Sequence, residues 1–306
     1  MERIWLKHYP AGVPADIDPN KYRSIRDLFE ESVASFRDRP AYHCMGKELS
    51  FGDIERMSHA FGAWLQARGL QKGDRVALMM PNVLQYPVAL FGILRAGMVV
   101  VNVNPLYTPR ELEHQLKDSG ATAIVILENF AHTLEQVIAR TQVKHVVVAA
   151  MGDLLGAAKG ALVNFVVRNV KKMVPAFQFD NAVRFNAMLG EASRLALARV
   201  EIGPEDIAFL QYTGGTTGLS KGAMLLNRNI TANLTQVEAW LDPFLTEEDR
   251  LKYIIITALP LYHIFSLTVN CLMMLKIGGK NVLIVNPRDM PGFVKELAKH
   301  KYTTIT

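Results

Sequence analysis

Cysteine is scarce in this chain of 306 residues, which limits the classes of protein to which it can belong. The only two cysteines, Cys44 and Cys271, are far apart and stand in apolar surroundings. Two such thiols predict neither a disulfide framework nor a cysteine-rich metal site, so we expect each to be buried and inert. This use of cysteine is typical of a reducing compartment.

Segments that direct a protein to the secretory route or across a membrane are also lacking. The N-terminus, MERIWLKHYPAGVPADIDP, has no apolar h-region and no small-residue cleavage site, so we expect a cytoplasmic protein. Two runs without charged side chains, 76–94 and 253–275, are long enough to raise the question of a transmembrane helix. Proline and polar residues interrupt both runs, so each predicts a buried strand, a turn and a core helix.

Strong charge of one sign is absent as well. The formal net charge is +5, and no run of basic residues is interleaved with aromatic ones, so the sequence gives no support for nucleic-acid binding. The diffuse positive charge suits an anionic ligand or an anionic membrane surface. Half of the residues are hydrophobic, which predicts a globular chain with a sizeable core, in one large domain or two smaller ones.

Helices and strands alternate along most of the chain. Ser24 precedes an amphipathic stretch that ends near Phe36, Ser50 with Asp53 begins a helix reaching about residue 68, and Thr108-Pro109-Arg110-Glu111 combines an N-cap with proline at the first helical position. Two further helices are predicted at 227–240 and 287–299. The predicted strands are 74–80, 98–103, 122–127, 145–150, 206–213, 253–260, 281–285 and 302–306. Such alternation indicates an α/β fold of layered parallel sheets flanked by helices.

A basic amphipathic insertion near 152–175 interrupts this alternation. It combines apolar and basic side chains, namely Leu162, Val163, Phe165, Val166, Val167 and Val170 with Lys159, Arg168, Lys171 and Lys172. Two interpretations stay open here: a segment that lies in a membrane interface, and a solvated helix packed on the domain.

The stretch YTGGTTGLSKGA, residues 212–223, is dense in glycine, hydroxyl groups and one lysine. Glycine lets the backbone approach a ligand closely, and hydroxyls with an ammonium group are donors suited to an anion. The spacing differs from that of the nucleotide P-loop, since Lys221 is followed by Gly222 rather than by serine or threonine. The loop follows a predicted strand, and open α/β sheets bind ligands at the carboxyl ends of their strands, so we expect a phosphate site here.

The string TGGTTGLSKGA resembles the phosphate-binding signature of the acyl-adenylate-forming, or AMP-binding, enzymes, which include acyl-CoA synthetases, firefly luciferase and peptide-synthetase adenylation domains. A second string, ALPLYHIFSLT at 258–268, resembles the family segment that lines the acyl pocket. Residues 73–112 are similar to the N-terminal part of bacterial long-chain fatty acyl-CoA synthetases. The resemblance extends over essentially the whole chain.

The resemblance implies an ATP-dependent ligase that converts a long-chain fatty acid to its acyl-CoA through an acyl-adenylate, with ATP, Mg²⁺ and coenzyme A. It assigns binding of the ATP phosphates to Tyr212, Thr213, Gly214, Gly215, Thr216, Thr217, Gly218, Leu219, Ser220, Lys221, Gly222 and Ala223. Thr216 or Thr217 would contact the metal ion, and Lys221 and His263 would be catalytic. Tyr262, His263 and Phe265 would meet the substrate. From the residues alone, His263 would be taken as a hydrogen-bonded core histidine, and Tyr262 and Phe265 fit core or pocket equally.

Parts of the family pattern are missing from the sequence. No YGxTE or TGD string occurs, and the mobile C-terminal domain with its catalytic lysine is absent. We therefore expect an N-terminal portion that is inactive alone, with a first α/β subdomain at 1–200 and the start of a second at 201–306. The alternative is a truncated, non-catalytic remnant that keeps a phosphate or acyl site. We also expect peripheral contact with the inner membrane. An ordinary nucleotide hydrolase is disfavoured by the loop spacing.

Overall fold

A computed structural model of the chain describes residues 2–214 and 220–306. The strands in these residues are β1 (Pro40–Cys44), β2 (Lys47–Ser50), β3 (Arg75–Met79), β4 (Val99–Asn102), β5 (Ala123–Leu127), β6 (His145–Ala149), β7 (Ala182–Arg184), β8 (Ile207–Thr213), β9 (Lys221–Leu226), β10 (Ile254–Thr257), β11 (Lys280–Leu283) and β12 (Thr304–Ile305). The α-helices are α1 (Ile25–Phe36), α2 (Phe51–Ala67), α3 (Gln85–Arg95), α4 (Pro109–Ser119), α5 (Ala131–Glu135), α6 (Ala157–Phe165), α7 (Phe185–Ala192), α8 (Asn227–Leu241), α9 (Glu247–Leu251), α10 (Ile264–Ser266), α11 (Met273–Ile277) and α12 (Met290–Leu297). One turn of π-helix, Val166–Val170, continues α6, and another, Leu267–Leu272, joins α10 to α11.

The strands form two sheets. The first has seven strands in the order β7-β6-β5-β3-β4-β8-β9, and the second has five in the order β12-β10-β11-β1-β2. Neighbours are parallel except for the two edge pairs β8/β9 and β1/β2, which are antiparallel. The predicted α/β class is therefore confirmed. Each sheet draws strands from both sides of residue 200, while the proposed subdomain boundary at that position stays a prediction.

The main hydrophobic core lies between the two sheets and is filled by helices. Every residue of α3 is buried, and α2 packs against it where Phe61 lies next to Gly92. Phe29 of α1 meets Phe91 of α3 with ring centroids 4.6 Å apart, an aromatic contact within the favourable range. The run 76–94 thus forms a buried strand and a buried helix, as its interruptions predict. No helix in the described part of the chain is long and apolar enough to cross a membrane.

The helix starts follow the predicted caps. The side chain of Ser24 accepts a hydrogen bond from the backbone N–H of Asp27. Ser50 with Asp53 forms a reciprocal capping box at the start of α2, and Thr108 with Glu111 forms one at the start of α4. Such boxes satisfy two backbone N–H groups that have no partner inside the helix.

Four strands were not predicted, namely β1, β2, β7 and β9. They are short or lie at sheet edges, and β9 is largely exposed, so their sequences show neither a long apolar run nor clear alternation. The predicted strand 253–260 also ends earlier, at Thr257. The residues after it form a turn that approaches the first sheet.

Both thiols are buried, as expected. Burial raises the pKa of Cys44 to about 12 and that of Cys271 to about 12 as well. A thiol with so high a pKa carries almost no thiolate at neutral pH, and thiolate is the reactive form. The expected burial of both thiols is therefore confirmed, and their inertness stays a prediction.

The basic insertion forms α6 and the π-helical turn after it. Within α6 and this turn Gly160 and Val167 are buried, whereas Leu162, Phe165 and Val170 are each more than half exposed. A bidentate ion pair attaches the segment to the rest of the domain, because the Arg168 guanidinium donates to both carboxylate oxygens of buried Glu128 at 2.8 Å. The segment is thus packed on the domain while it presents an apolar surface outward.

Candidate functional site

The glycine-rich loop joins β8 to β9 at the carboxyl end of β8. Thr213 and Lys221 face each other at the open end of this antiparallel pair, and both are exposed. The predicted phosphate contacts of Gly215, Thr216, Thr217, Gly218 and Leu219 concern residues outside the described ranges and stay predictions.

Helix α4 and the turn before it support the loop from one side. The hydroxyl of Tyr212 donates to Asp118 Oδ2 at 2.5 Å, and His114 Nε2 donates to the carbonyl oxygen of Ser220 at 2.9 Å. Burial, together with the bond to Asp118, raises the pKa of Tyr212 well above its ordinary value. The phenol therefore stays protonated and keeps this bond at any physiological pH.

Tyr212 also explains one glycine of the motif. A Cβ placed on Gly222 would lie 2.8 Å from the Tyr212 ring, closer than carbon atoms approach without a shift. The ring can lie this close to the neighbouring strand because Gly222 has no side chain. This glycine serves packing, whereas a Cβ at Gly214 would meet no heavy atom of residues 2–214 and 220–306 within 4 Å.

The second motif, 258–268, is held in place by one buried side chain. The amide nitrogen of Asn82 donates to the carbonyl oxygens of Thr257 and Leu259, both at 2.9 Å. Its oxygen accepts from the backbone N–H of Leu261 at 2.8 Å. Asn82 follows β3 of the first sheet, so this side chain fixes the turn after β10 against the end of the other sheet.

A buried polar network then connects the two motifs. Gln211, in β8, donates from Nε2 to the carbonyl oxygen of Tyr262 at 2.9 Å. The side chain of Asn102 donates to Gln211 Oε1 at 3.1 Å. The hydroxyl of Tyr86 lies within hydrogen-bonding distance of Asn102 Oδ1 and of the carbonyl oxygen of Leu261, at 2.7 and 2.9 Å. Because Gln211 immediately precedes the stretch 212–223, the network connects the end of β8 to the second motif.

The three predicted substrate residues occupy different environments. His263 is exposed at the start of α10, which excludes the alternative of a core histidine. Phe265 is 50% exposed and is likewise not a core residue. Tyr262 is partly buried, packs against the core, and lines a cavity. The positions of all three are consistent with a role at the site, and their contact with substrate stays a prediction.

This cavity has a volume of about 470 Å³ and lies where the carboxyl ends of both sheets meet. Its lining is mostly apolar and includes Leu106, Leu127, Phe130, Met151, Met173 and Ile284. Arg288 is the one cationic side chain in the described lining. Asn82, which holds the second motif, also lines the cavity. Burial raises the pKa of Tyr262, and nearby Arg288 partly opposes this effect. An apolar cavity with a few polar groups is the usual form of a small-molecule site.

Several supporting residues were missed from the sequence, namely Asn82, Asn102, His114, Asp118, Gln211 and Arg288. A usable signal existed for three of them. Asn82 directly follows an apolar strand run, Asn102 ends another, and Gln211 interrupts a third, so each places a polar group at the carboxyl edge of a sheet. The other three lie in helical or loop segments where polar residues are ordinary.

Comparison with known proteins adds three findings. A family model described as AMP-binding enzyme matches residues 29–306. The long-chain-fatty-acid–CoA ligase of Escherichia coli O157:H7 is 59% identical over 307 residues, which cover 100% of this chain and 54% of the relative. The chain thus spans about half the length of the curated relatives it matches.

Solved structures share the fold at low sequence identity. The anthranilate CoA ligase AuaEII, in complex with anthranoyl-AMP, aligns with a TM-score of 0.77 at 19% identity over 94% of this chain and 51% of that one. A long-chain-fatty-acid-CoA ligase, FadD1 from Archaeoglobus fulgidus, aligns with a TM-score of 0.74 at 22% identity over 97% of this chain and 53% of that one. The predicted resemblance of fold is confirmed.

Proposed function

Because the chain belongs to the family of AMP-binding enzymes, we propose that it serves in the ATP-dependent activation of long-chain fatty acids. The observation that carries the proposal is the hydrogen bond from Gln211 to the Tyr262 backbone, which connects the end of β8, just before the glycine-rich stretch in the sequence, to a residue that lines a mostly apolar cavity. A phosphate-binding loop next to an apolar cavity suits a reaction between ATP and an acyl chain. The name of the Escherichia coli relative supports the same substrate class.

The proposed reaction has two steps. The fatty carboxylate attacks the α-phosphorus of ATP, the bond to the β-phosphate breaks, and pyrophosphate leaves. The thiol of coenzyme A then attacks the acyl carbon, and AMP leaves. In the first step Lys221 neutralises charge on the departing phosphates, and His263 stands beside the carboxylate. Removal of one preorganised donor from such a site typically costs about 3 to 4 kcal/mol of transition-state stabilisation.

We assign the magnesium ion to the same loop. Hydroxyl oxygens are hard ligands, and Mg²⁺ is usually held by few protein atoms together with phosphate oxygens. Thr216 and Thr217 offer such oxygens in a stretch rich in hydroxyls, so one of them would hold the ion. When bound, the ion would supply positive charge next to the phosphates.

The acyl chain is assigned to the cavity lined by Tyr262. Its apolar side chains would cover the hydrocarbon, while Arg288 offers a cation for the carboxylate or a phosphate oxygen. Phe265, exposed beside His263, would cover the entrance. The substrate roles of Tyr262, His263 and Phe265 are part of this proposal.

We also propose that the insertion contacts the cytoplasmic face of the inner membrane. Leu162, Phe165 and Val170 are exposed apolar side chains, and Lys171 and Lys172 follow them directly. Such a combination of apolar and basic groups suits an anionic lipid surface. Met173 supports a functional connection, because it is half exposed in this segment and also lines the cavity.

The test is ATP–pyrophosphate exchange driven by oleate. It is measured on this chain and on a version extended downstream to the next in-frame stop codon. We expect exchange in the extended version and none in the 306-residue chain, since this chain spans only 54% of the Escherichia coli relative. The division into subdomains at 1–200 and 201–306 is part of the same proposal. The extended version also allows the second step to be followed as oleoyl-CoA formation.

Lys221→Ala in the extended version gives a sharper result. Lys221 begins an edge strand and is exposed, and Lys47 does the same in the other sheet, so Lys47→Ala is a matched control. We expect exchange to fall by about 100- to 1,000-fold in Lys221→Ala and to be unchanged in Lys47→Ala. Absence of exchange in a folded extended version would reject the ligase proposal and favour a non-catalytic remnant that binds phosphate or acyl groups.

A further inference from the structure

Two histidines and a glutamate come together away from the glycine-rich loop. His43 is in β1, Glu296 is in α12, and His300 follows that helix. One ligand atom from each residue lies within 4.8 Å of the other two. The cluster stands on the face of the five-stranded sheet that α12 covers, where Phe293 and Leu297 pack on Ile256, Val282 and Ile284.

The polar atoms of the cluster are directed at one another but are incompletely bonded. His300 Nε2 lies 3.1 Å from Glu296 Oε1, and His43 Nδ1 lies 3.9 Å from the same oxygen. His43 is 8% exposed, and its Nδ1 has no hydrogen-bond partner within residues 2–214 and 220–306. A buried ring nitrogen without a partner is costly, so it calls for an occupant of the space that it faces.

We propose that His43, Glu296 and His300 bind one Zn²⁺ ion. Two imidazoles and a carboxylate are a common ligand set for zinc, with a fourth, tetrahedral position left for water. Zinc–ligand distances near 2.1 Å place the ligand atoms of a tetrahedral site about 3.4 Å apart. The two measured distances to Glu296 Oε1 lie on either side of that value, so small rotations of the rings would complete the site.

The surrounding charges leave the required atoms available. Lys299 Nζ is bonded to the other carboxylate oxygen of Glu296, Oε2, at 2.5 Å, which leaves Oε1 for the metal. A further cation that acts on His43, Lys280, is paired with Glu48 at 2.9 Å. The metal would tie α12 to β1, two elements far apart in the sequence, and would thereby hold the helix against the sheet.

The test uses the chain without an affinity tag, freed of metal by a chelator. Zn²⁺ is titrated against a chromophoric chelator to obtain stoichiometry and affinity. We expect one ion per chain, and a loss of affinity of at least about 100-fold in His300→Gln and in Glu296→Gln, since even second-shell changes at metal sites cost 10- to 100-fold. His132→Gln is the matched control, because His132 stands 3.5 Å from Glu135 on the surface in a similar histidine–glutamate pair. Affinity is expected to be unchanged in this variant.

Co²⁺ provides a readout that does not depend on whether the variants fold. We expect the wild-type chain with one equivalent of Co²⁺ to show the intense visible absorption of a four-coordinate site. Absence of stoichiometric Zn²⁺ binding, or the weak spectrum of six-coordinate Co²⁺, would overturn the proposal. Unchanged affinity in folded His300→Gln and Glu296→Gln would overturn it equally, since the ion would then be bound elsewhere.

Discussion

Replacement of Asn82 by alanine tests the connection between the two sheets at the site. The side chain is 2% exposed and makes three hydrogen bonds to the turn after β10. Two of the three backbone groups retain another partner, because Ile284 N–H also donates to Thr257 O, and the Ser266 hydroxyl also donates to Leu259 O.

The backbone N–H of Leu261 is the group that loses its partner. A buried donor left unsatisfied costs about 1 to 3 kcal/mol, and each of the two carbonyl bonds contributes about 0.5 to 1 kcal/mol net. We therefore expect Asn82→Ala to lower the free energy of unfolding by about 2 to 5 kcal/mol. Asn82→Asp should cost more, because it restores the acceptor for Leu261 but places a buried carboxylate against two carbonyl oxygens.

The assay is urea unfolding followed by far-ultraviolet circular dichroism, with the free energy taken from the midpoint at a common slope. Asn233→Ala is the control, since Asn233 is exposed on α8 and its one side-chain hydrogen bond to a described residue is a 3.4 Å contact with Gln236. It should change the free energy of unfolding by less than about 0.5 kcal/mol. A loss below about 1 kcal/mol in Asn82→Ala, or a milder effect in Asn82→Asp, would refute the reasoning.

Three further outcomes are expected. Gly222→Val forces a side chain into the Tyr212 ring, so binding of a fluorescent ATP analogue should fall at least 10-fold. Gly190→Ala, in open space on α7, should leave binding unchanged, and equal binding in both variants would contradict the packing role of Gly222. Phe165→Glu should weaken flotation with vesicles rich in anionic phosphatidylglycerol several-fold, and the equally exposed Phe244→Glu should not; parallel losses would exclude a specific membrane surface. The two buried thiols keep their protons until about pH 12 in the folded state and ionise near pH 9 in the unfolded state. Between these values the unfolded state binds fewer protons, so the free energy of unfolding should fall as the pH rises from 9 to 12. Urea midpoints that are constant over this range would contradict the burial of the thiols.

The sequence was sufficient for features whose causes are local. The starts of α1, α2 and α4 followed from Ser24, Ser50 and Thr108, because a cap and its partner stand three residues apart in the chain. The central strands were equally readable, since strands buried on both faces require continuous apolar runs. Composition alone also indicated the glycine-rich loop.

Features that depend on distant contacts were not readable. Strand β9 is identified by its partner β8 rather than by its own pattern, and Gly222 is required by the Tyr212 ring. The three bonds of Asn82 depend on a turn that lies far along the chain. Proximity of this kind arises from the packing of two sheets, and periodicity carries no information about it.

The order of strands in the five-stranded sheet has a consequence for synthesis. Tyr42 of β1 pairs with Asn281 of β11, so the first strand of the chain is paired with a strand that comes much later in the sequence. As the chain leaves the ribosome, β3, β4, β5 and β6 can pair in turn with the helices between them, whereas the β1–β2 hairpin waits with an open edge. An open edge is a template for pairing with other chains, and such non-local contacts form slowly. We therefore expect the N-terminal hairpin to be the part of the nascent chain that most needs a chaperone.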